Sequence, residues 1–193
     1  METILGNISS IRSGVTLRGE FLNRNENGNI LLIQPRDVAN GILIHSPARI
    51  LVADSRLLNK HLLEEGDLLI SNKGLKFTTF LFNAELMKSV ASGSFFVIKL
   101  DRTKCFPEFL QWYLEQPQIV AYLSENLIKT TIPSLSIGVL NKLSLLVPEP
   151  FVQKKILDFL QLVKVEENIL KKVVEKTEKH RDSYVWELIK GQE

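Results

Sequence analysis

The apolar positions of this chain fall into two regimes. From Ile30 to Phe96 they come in short runs rich in branched and aromatic residues: Ile30 to Ile33, Ile42 to Ile44, Leu68 to Ile70 and Phe77 to Phe82. Such runs predict strands, because β-branched and aromatic side chains pack well on a pleated surface. Gly28, Gly41, Gly66, Gly74 and Gly93 fall in the gaps together with Asn27, Asn29, Asn40 and Asn72, and supply turn chemistry there. A compact, mostly antiparallel or mixed sheet follows. Between the runs, Asp54 as a cap and the stripe Leu57, Leu58, Leu62 predict a short helix over Asp54 to Leu63. Ser94 to Leu100 reads as a further strand, with Ala91-Ser92-Gly93-Ser94 as a tight turn before it. Pro107 suits the first turn of a helix through Phe109, Leu110, Tyr113 and Leu114. Pro117 ends that helix and opens a second, with Ile119, Val120 and Leu123 on its buried side; polar Asn126 to Ser134 breaks the pattern. Leu143 to Val147 closes the strands, and Pro148-Glu149-Pro150 marks a boundary between residues 1–150 and 151–193.

The second regime is helical. From Phe151 to about Lys190 there is neither Pro nor Gly. Ile156, Val163, Leu170, Thr177 and Tyr184 recur every seven residues, with Leu160, Glu167, Val174, Arg181 and Leu188 offset by four. This is a heptad seam. A helix of that extent is nearly 60 Å long at about 1.5 Å per residue, too long to bury its whole apolar face on one small globule. It needs a partner helix, and the expected pairing residues are Ile156, Leu160, Val163, Leu170, Val174, Tyr184 and Leu188. Glu167 and Arg181 are poor choices for purely apolar packing, but polar seam residues can specify register or orientation. The fold class expected is therefore α+β, a mixed β-rich domain followed by a long coiled-coil helix.

Composition narrows the function classes. The 45% hydrophobic content over 193 residues can fill a real core. With 24 Lys+Arg against 22 Asp+Glu the formal charge is only +2, which argues against a strongly basic, sequence-blind grip on nucleic acid. The Lys-rich tail is interleaved with Glu and Asp and reads as a solvated coiled-coil face. The single cysteine, Cys105, forms no internal disulfide and no multi-cysteine zinc site. A reduced cytoplasm is expected, since the first residues carry no signal-peptide pattern and no apolar stretch approaches the about 20 residues of a membrane span.

The usual catalytic patterns do not occur. There is no phosphate-binding G-x-x-x-x-G-K-[ST] loop, no G-x-G-x-x-G after a strand, no H-E-x-x-H and no G-x-S-x-G elbow. His45, His61 and His180 lie on different predicted elements. Cys105 precedes a helix, where a thiol can be activated, but Phe106-Pro107 beside it favours packing. Asp37, Glu64, Glu65, Asp67 and Asp101 could serve a metal-dependent nuclease, though no spacing singles them out. Weight shifts to binding, with neither a metal nor a cofactor expected on this chain.

Predicted loops offer Arg18, Arg24, Arg36, Lys73, Lys76, Lys129, Thr130 and Thr131, with Asn25, Asn27 and Asn72 nearby. Sequence-specific readers of double-stranded DNA use few charges: Arg or Lys addresses guanine, Asn or Gln addresses adenine, and further Lys, Ser and Thr hold phosphates. From loop placement and donor chemistry, the leading candidates are Arg36, Lys73 and Lys76, then Asn72, Lys129 and Thr131.

The order of segments resembles the specificity subunit of Type I restriction–modification systems. The marks are Ile11 to Gly14, Ile33 to Val38, Gly66 to Gly74, Ala91-Ser92, Pro107 to Leu114, Ile137 to Val147 leading into Pro148-Glu149-Pro150, and Gln153 to Leu160. The resemblance implies a target recognition domain followed by a helix that acts as spacer and docking surface for modification subunits. It implies no catalysis in this chain. Adenine methylation, with S-adenosylmethionine, belongs to a methyltransferase subunit, and cleavage to a restriction subunit. Family members usually carry two recognition domains and two long helices; this chain has one of each and resembles a half subunit. Two copies are accordingly expected to associate as an antiparallel homodimer reading a symmetric, split site. The loop after Gly66-Asp67 departs from the family by following Gly74 with Leu75-Lys76-Phe77. The alternative reading is a coiled-coil oligomerisation or adaptor protein without DNA readout, and a metal-dependent nuclease comes third.

Overall fold

A computed structural model describes residues 2–16, 27–51 and 59–191 of the chain. It divides into two compact units, Met1–Gln153 and Lys154–Glu193. The first is α+β and the second consists of most of one long helix.

Strands β1 (Glu2–Ile4), β2 (Ser9–Ser13), β3 (Ile30–Ile33), β4 (Val38–Ala39), β5 (Ile42–Leu43), β6 (Ala48–Ile50), β7 (Leu68–Ser71), β8 (Thr79–Leu81), β9 (Ser89–Ala91), β10 (Phe95–Leu100) and β11 (Ser144–Leu146) build four small sheets. The largest is antiparallel, in the order β2-β10-β7-β8. In the second, β3 runs antiparallel to β6 and parallel to β9. β1 pairs with β11 and so ties the start of the unit to its close. β4 and β5 form a two-residue hairpin. All four residues of β7 and of β3 are buried, which explains why Ile30 to Ile33 and Leu68 to Ile70 are continuous apolar runs instead of alternating ones. Ile33, Leu69, Phe80, Phe82, Phe95 and Val97 belong to one core cluster, and Ile30, Leu32, Ile50 and Val90 to another.

Among the described residues, three complete helices join this unit. α1 (Pro107–Leu114) and α2 (Pro117–Glu125) each begin on the proline that the sequence places there, and α1 lies against β8. α3 (Ile137–Asn141) is capped by Ser136, whose Oγ accepts from the Val139 N–H. α4 (Pro150–Lys190) is one continuous helix of 41 residues. Its first turn is fixed by Gln153, which is fully buried: its Oε1 accepts from the Phe106 N–H at 2.9 Å, and its Nε2 donates to the carbonyls of Lys104 and Pro148, each at 2.8 Å.

The strands at Ile30, Ile42, Leu68, Phe77 and Ser94 exist where the pattern put them, although the Phe77 strand is shortened to Thr79–Leu81 by the turn that precedes it. β1, β2, β4, β6, β9 and α3 were not legible. β2 reads Ser-Ser-Ile-Arg-Ser, and only its place at the sheet edge makes it a strand. The helix expected over Asp54 to Leu63 lies outside the described residues up to Leu58, as do Arg18, Arg24 and Asn25. In α4, Ile156, Leu160 and Val163 are half-buried, whereas Leu170, Val174, Tyr184 and Leu188 are all more than half exposed. Among the described residues, no helix is long and apolar enough to cross a membrane.

Candidate nucleic-acid interface

The β7–β8 connection, Asn72 to Thr78, is the centre of the site. Its neck is closed by Ser71, whose N–H donates to the Thr78 carbonyl and whose Oγ accepts from the Thr78 N–H at 2.8 Å. Gly74 adopts φ +88°, a left-handed conformation that explains glycine there. Its N–H donates to the Pro133 carbonyl at 2.9 Å. Thus a loop nearly sixty positions away in sequence is zipped alongside: Lys73 bridges Ser134, the Leu135 N–H donates to the Asn72 carbonyl at 2.9 Å, and Ile128 and Ser134 exchange hydrogen bonds that pinch off the tip between them. Thr130 Oγ donates to the Ile132 carbonyl at 2.7 Å and shapes that tip.

The two zipped loops carry Lys73 and Lys76 on one side and Lys129 and Thr131 on the other, all of them exposed. None of the three lysines forms an ion pair among the described residues. Leu75, 73% exposed, and Ile132, 61% exposed, stand at the loop tips beside them. Lys76 also lines a cleft of about 320 Å³ whose opposite wall is Val38 to Gly41 and whose floor includes Thr79 and Glu115. Glu115 accepts the Thr79 hydroxyl, and Gln111 Nε2 donates to the same oxygen at 3.4 Å.

Asn40 and Gly41 form the β4–β5 turn with φ 50° and 75°. This is the Asn-Gly hairpin signature, needing positive φ at both positions. The sequence read Asn40 only as turn chemistry, yet the structure puts it, exposed, on the cleft wall facing Lys76. Arg36 sits one turn earlier, on a 3-10 turn whose geometry is set by buried Asp37: its Oδ2 accepts from the Gln34 N–H at 2.9 Å and its carbonyl from the Ile44 N–H at 2.8 Å. The Arg36 side chain is 60% exposed, 3.8 Å from Asp37.

Asn72 departs from its expected role. It is only 6% exposed, with its Nδ2 donating to the Gly93 carbonyl at 3.0 Å and its N–H to the Ser94 carbonyl at 2.9 Å. An amide spent on the loop base has no reach into a DNA groove; Asn72 positions the loop that carries Lys73 and Lys76. Its Oδ1 is enclosed without a hydrogen-bond partner among the described residues.

The remaining titratable groups have structural surroundings. Burial pushes the Cys105 thiol up to about 12, so it stays protonated and unreactive at neutral pH. Burial lifts the Asp67 carboxyl above its ordinary value, against the pull of the Glu64 N–H and of Arg12, 3.6 Å away. Burial, with the charges of Arg12 and Lys60, lowers His61. A second concavity of about 510 Å³ is mostly apolar, with Leu31, Leu43, Leu86 and Met87 beside His45 and Arg49. Among the described residues no three His, Cys, Asp or Glu side chains converge as metal ligands.

Comparison with known proteins agrees with this architecture. Three solved structures share the fold. A chain from a structure on complex assembly and conformational transition of the type I R-M system is 18% identical, with a TM-score of 0.69 over 93% of this chain and 42% of its own. The HsdS subunit from Thermoanaerobacter tengcongensis is 18% identical, with a TM-score of 0.62 over 90% and 39%. The S subunit of a Type I restriction–modification system from M. genitalium is 16% identical, with a TM-score of 0.57 over 95% and 44%. The chain thus spans about two-fifths of the length of each. No curated protein sequence matches it significantly. Residues 2–177 match the family described as Type I restriction modification DNA specificity domain, and the chain belongs to that family.

Proposed function

We propose that this chain is the non-catalytic DNA sequence-recognition subunit of a Type I restriction–modification complex, acting in the cytoplasm. The observation that carries the proposal is the pair of zipped loops: three exposed lysines without ion-pair partners among the described residues, on a scaffold that belongs to the specificity family. Lys73, Lys76 and Lys129 suit guanine edges or phosphates, Thr131 suits phosphates, and Asn40 offers an amide for adenine. Arg36 extends the same face from the base of the hairpin. Near-neutral overall charge limits sequence-blind affinity and leaves discrimination to these few donors.

The rod couples this reader to other chains. Its seam residues pair with a second copy as an antiparallel homodimer, presenting two recognition units to a two-fold, split site. Beside the seam, exposed Phe159, Leu162, Ile169 and Val173 form a further apolar stripe, suited to a modification subunit. That subunit would hold S-adenosylmethionine and methylate adenine, and through it a restriction subunit would be directed to the same sequence.

Selection from a random duplex pool tests the reading, with and without a Type I modification subunit. Enrichment of one split motif is expected, and failure to enrich any duplex in either condition contradicts it. The exposed rod favours the adaptor reading as second. A rod-dependent complex with other proteins that ignores every duplex would establish that alternative.

A further inference from the structure

The seam of α4 carries two charges, and their positions give the helix a direction. Ile156, Leu160, Val163, Glu167, Leu170, Val174, Thr177, Arg181, Tyr184 and Leu188 are spaced four and three residues apart in strict alternation. That spacing reads the same in both directions, with its midpoint between Leu170 and Val174. We propose that Glu167 and Arg181 fix the rod as an antiparallel pair with a second copy of this chain, in the one register whose two-fold axis passes between Leu170 and Val174. The inference rests on the antiparallel homodimer reading above and adds its register and the two residues that fix it.

In this register the layers are Ile156 with Leu188, Leu160 with Tyr184, Val163 with Arg181, Glu167 with Thr177, and Leu170 with Val174, each taken across the two copies. Glu167 and the Arg181 of the second copy then lie in adjacent layers, about 6 Å apart along the axis. Side chains on a helix tilt toward its N-terminus. In antiparallel helices those tilts are opposed, so the Glu167 carboxylate and the opposing guanidinium lean toward each other, and two-fold symmetry makes the pair twice.

Other arrangements lose this complementarity. A parallel, in-register pair sets Glu167 against Glu167 and Arg181 against Arg181 inside the seam. An antiparallel pair displaced by one heptad toward the C-terminal ends leaves the two charges about 4.5 Å apart along the axis but leaning away from each other. Displacement the other way separates them by about three turns.

The structure leaves both groups available. Among the described residues Arg181 is engaged with its neighbour Asp182, its Nε and Nη2 donating to Oδ1 at 3.0 and 2.9 Å, with both side chains about two-thirds exposed. Such a surface pair contributes little and yields easily to a better one. Around them Leu170, Val174, Tyr184 and Leu188 are open apolar positions that a second copy would cover.

Three measurements on the full chain test this. Light scattering of the wild type should show a dimer; a monomer at all accessible concentrations overturns the homodimer reading and this inference with it. Ile156→Cys and Leu188→Cys chains, oxidised separately, should not cross-link. Mixed, they should form a disulfide between copies, because bridged Cα atoms must lie within about 7 Å. Self-cross-linking of either variant, or failure of the mixture to cross-link in a wild-type-like dimer, overturns the register while leaving dimerisation standing. Glu167→Arg or Arg181→Glu alone should weaken the dimer at least tenfold, and the doubly reversed chain should recover to within about threefold of the wild type. A double variant no tighter than the singles overturns the proposed ion pair.

Discussion

Replacing Gln153 by leucine removes the amide that holds the first turn of α4 while nearly preserving side-chain volume. Three hydrogen bonds of 2.8–2.9 Å disappear, leaving the Phe106 N–H and the Lys104 and Pro148 carbonyls without that partner in a fully buried place. A buried polar group deprived of its partner costs about 1–3 kcal/mol, so the low end of that range for three groups gives about 3 kcal/mol. For a folded unit of this size each kcal/mol moves the melting temperature by about 2–4 °C, which predicts a fall of roughly 6–12 °C. Near-UV circular dichroism is the suitable probe, because Trp112 packs against Phe109 and Tyr113, at ring-centre distances of 5.7 and 6.5 Å, and reports the recognition unit. Leu162→Gln, on the exposed face of the same helix, serves as the control and should shift the melt by no more than about 1–2 °C. A Gln153→Leu protein melting within about 2 °C of the wild type would refute the assignment of Gln153 as the clamp.

Lys73→Ala, Lys76→Ala and Lys129→Ala should each weaken binding to the selected duplex. A phosphate contact reveals itself as an even loss across sequences with a salt slope reduced by about 1, and a base contact as about 1–3 kcal/mol confined to one position; unchanged affinity in quantitative titrations would remove that lysine from the interface. Asn72→Ala, by freeing the loop from the Gly93 carbonyl, should destabilise the unit by about 1 kcal/mol in chemical denaturation and weaken all duplexes alike. Loss of discrimination at a single base position would instead give Asn72 a direct reading role. Because burial raises the Asp67 carboxyl, the native state binds more proton than the unfolded chain just above the ordinary carboxylate range. The contribution of this group therefore falls as pH rises through that window, and the stability gap between wild type and Asp67→Asn should shift against the wild type from weakly acidic to neutral pH. A gap that grows in favour of the wild type over the same range would mean that Arg12 governs the carboxyl.

What the sequence revealed and what it hid have separate physical causes. β3, β7 and β10 were readable because each holds at least three consecutive buried apolar residues, Ile30 to Ile33, Leu68 to Ile70 and Phe95 to Ile98, and α1 and α2 because a proline opens each. β2 was hidden because an edge strand needs only half its residues to be apolar. Lys73, Lys76, Lys129 and Thr131 could be chosen by loop chemistry, but that their two loops are joined follows from bridges between Lys73, Ile128 and Ser134, which no local pattern encodes. The burial of Asn72 was hidden for the same reason: an Asn in a loop and an Asn buried under a loop look alike in sequence. Gln153 was quoted only as part of the segment opening the long helix. Nothing in a helical heptad announces that one of its glutamines is buried against three backbone groups.

The most direct test of the account is site-specific photo-cross-linking to the selected duplex. A photoreactive amino acid at Leu75, at the exposed tip of the β7–β8 loop, should capture DNA, and one at Ile132 on the adjoining tip should capture the same half-site. The same probe at Met87, beside the apolar concavity, should capture none. Capture from Met87 with silence at both loop tips would place the DNA elsewhere and contradict the interface described for this chain.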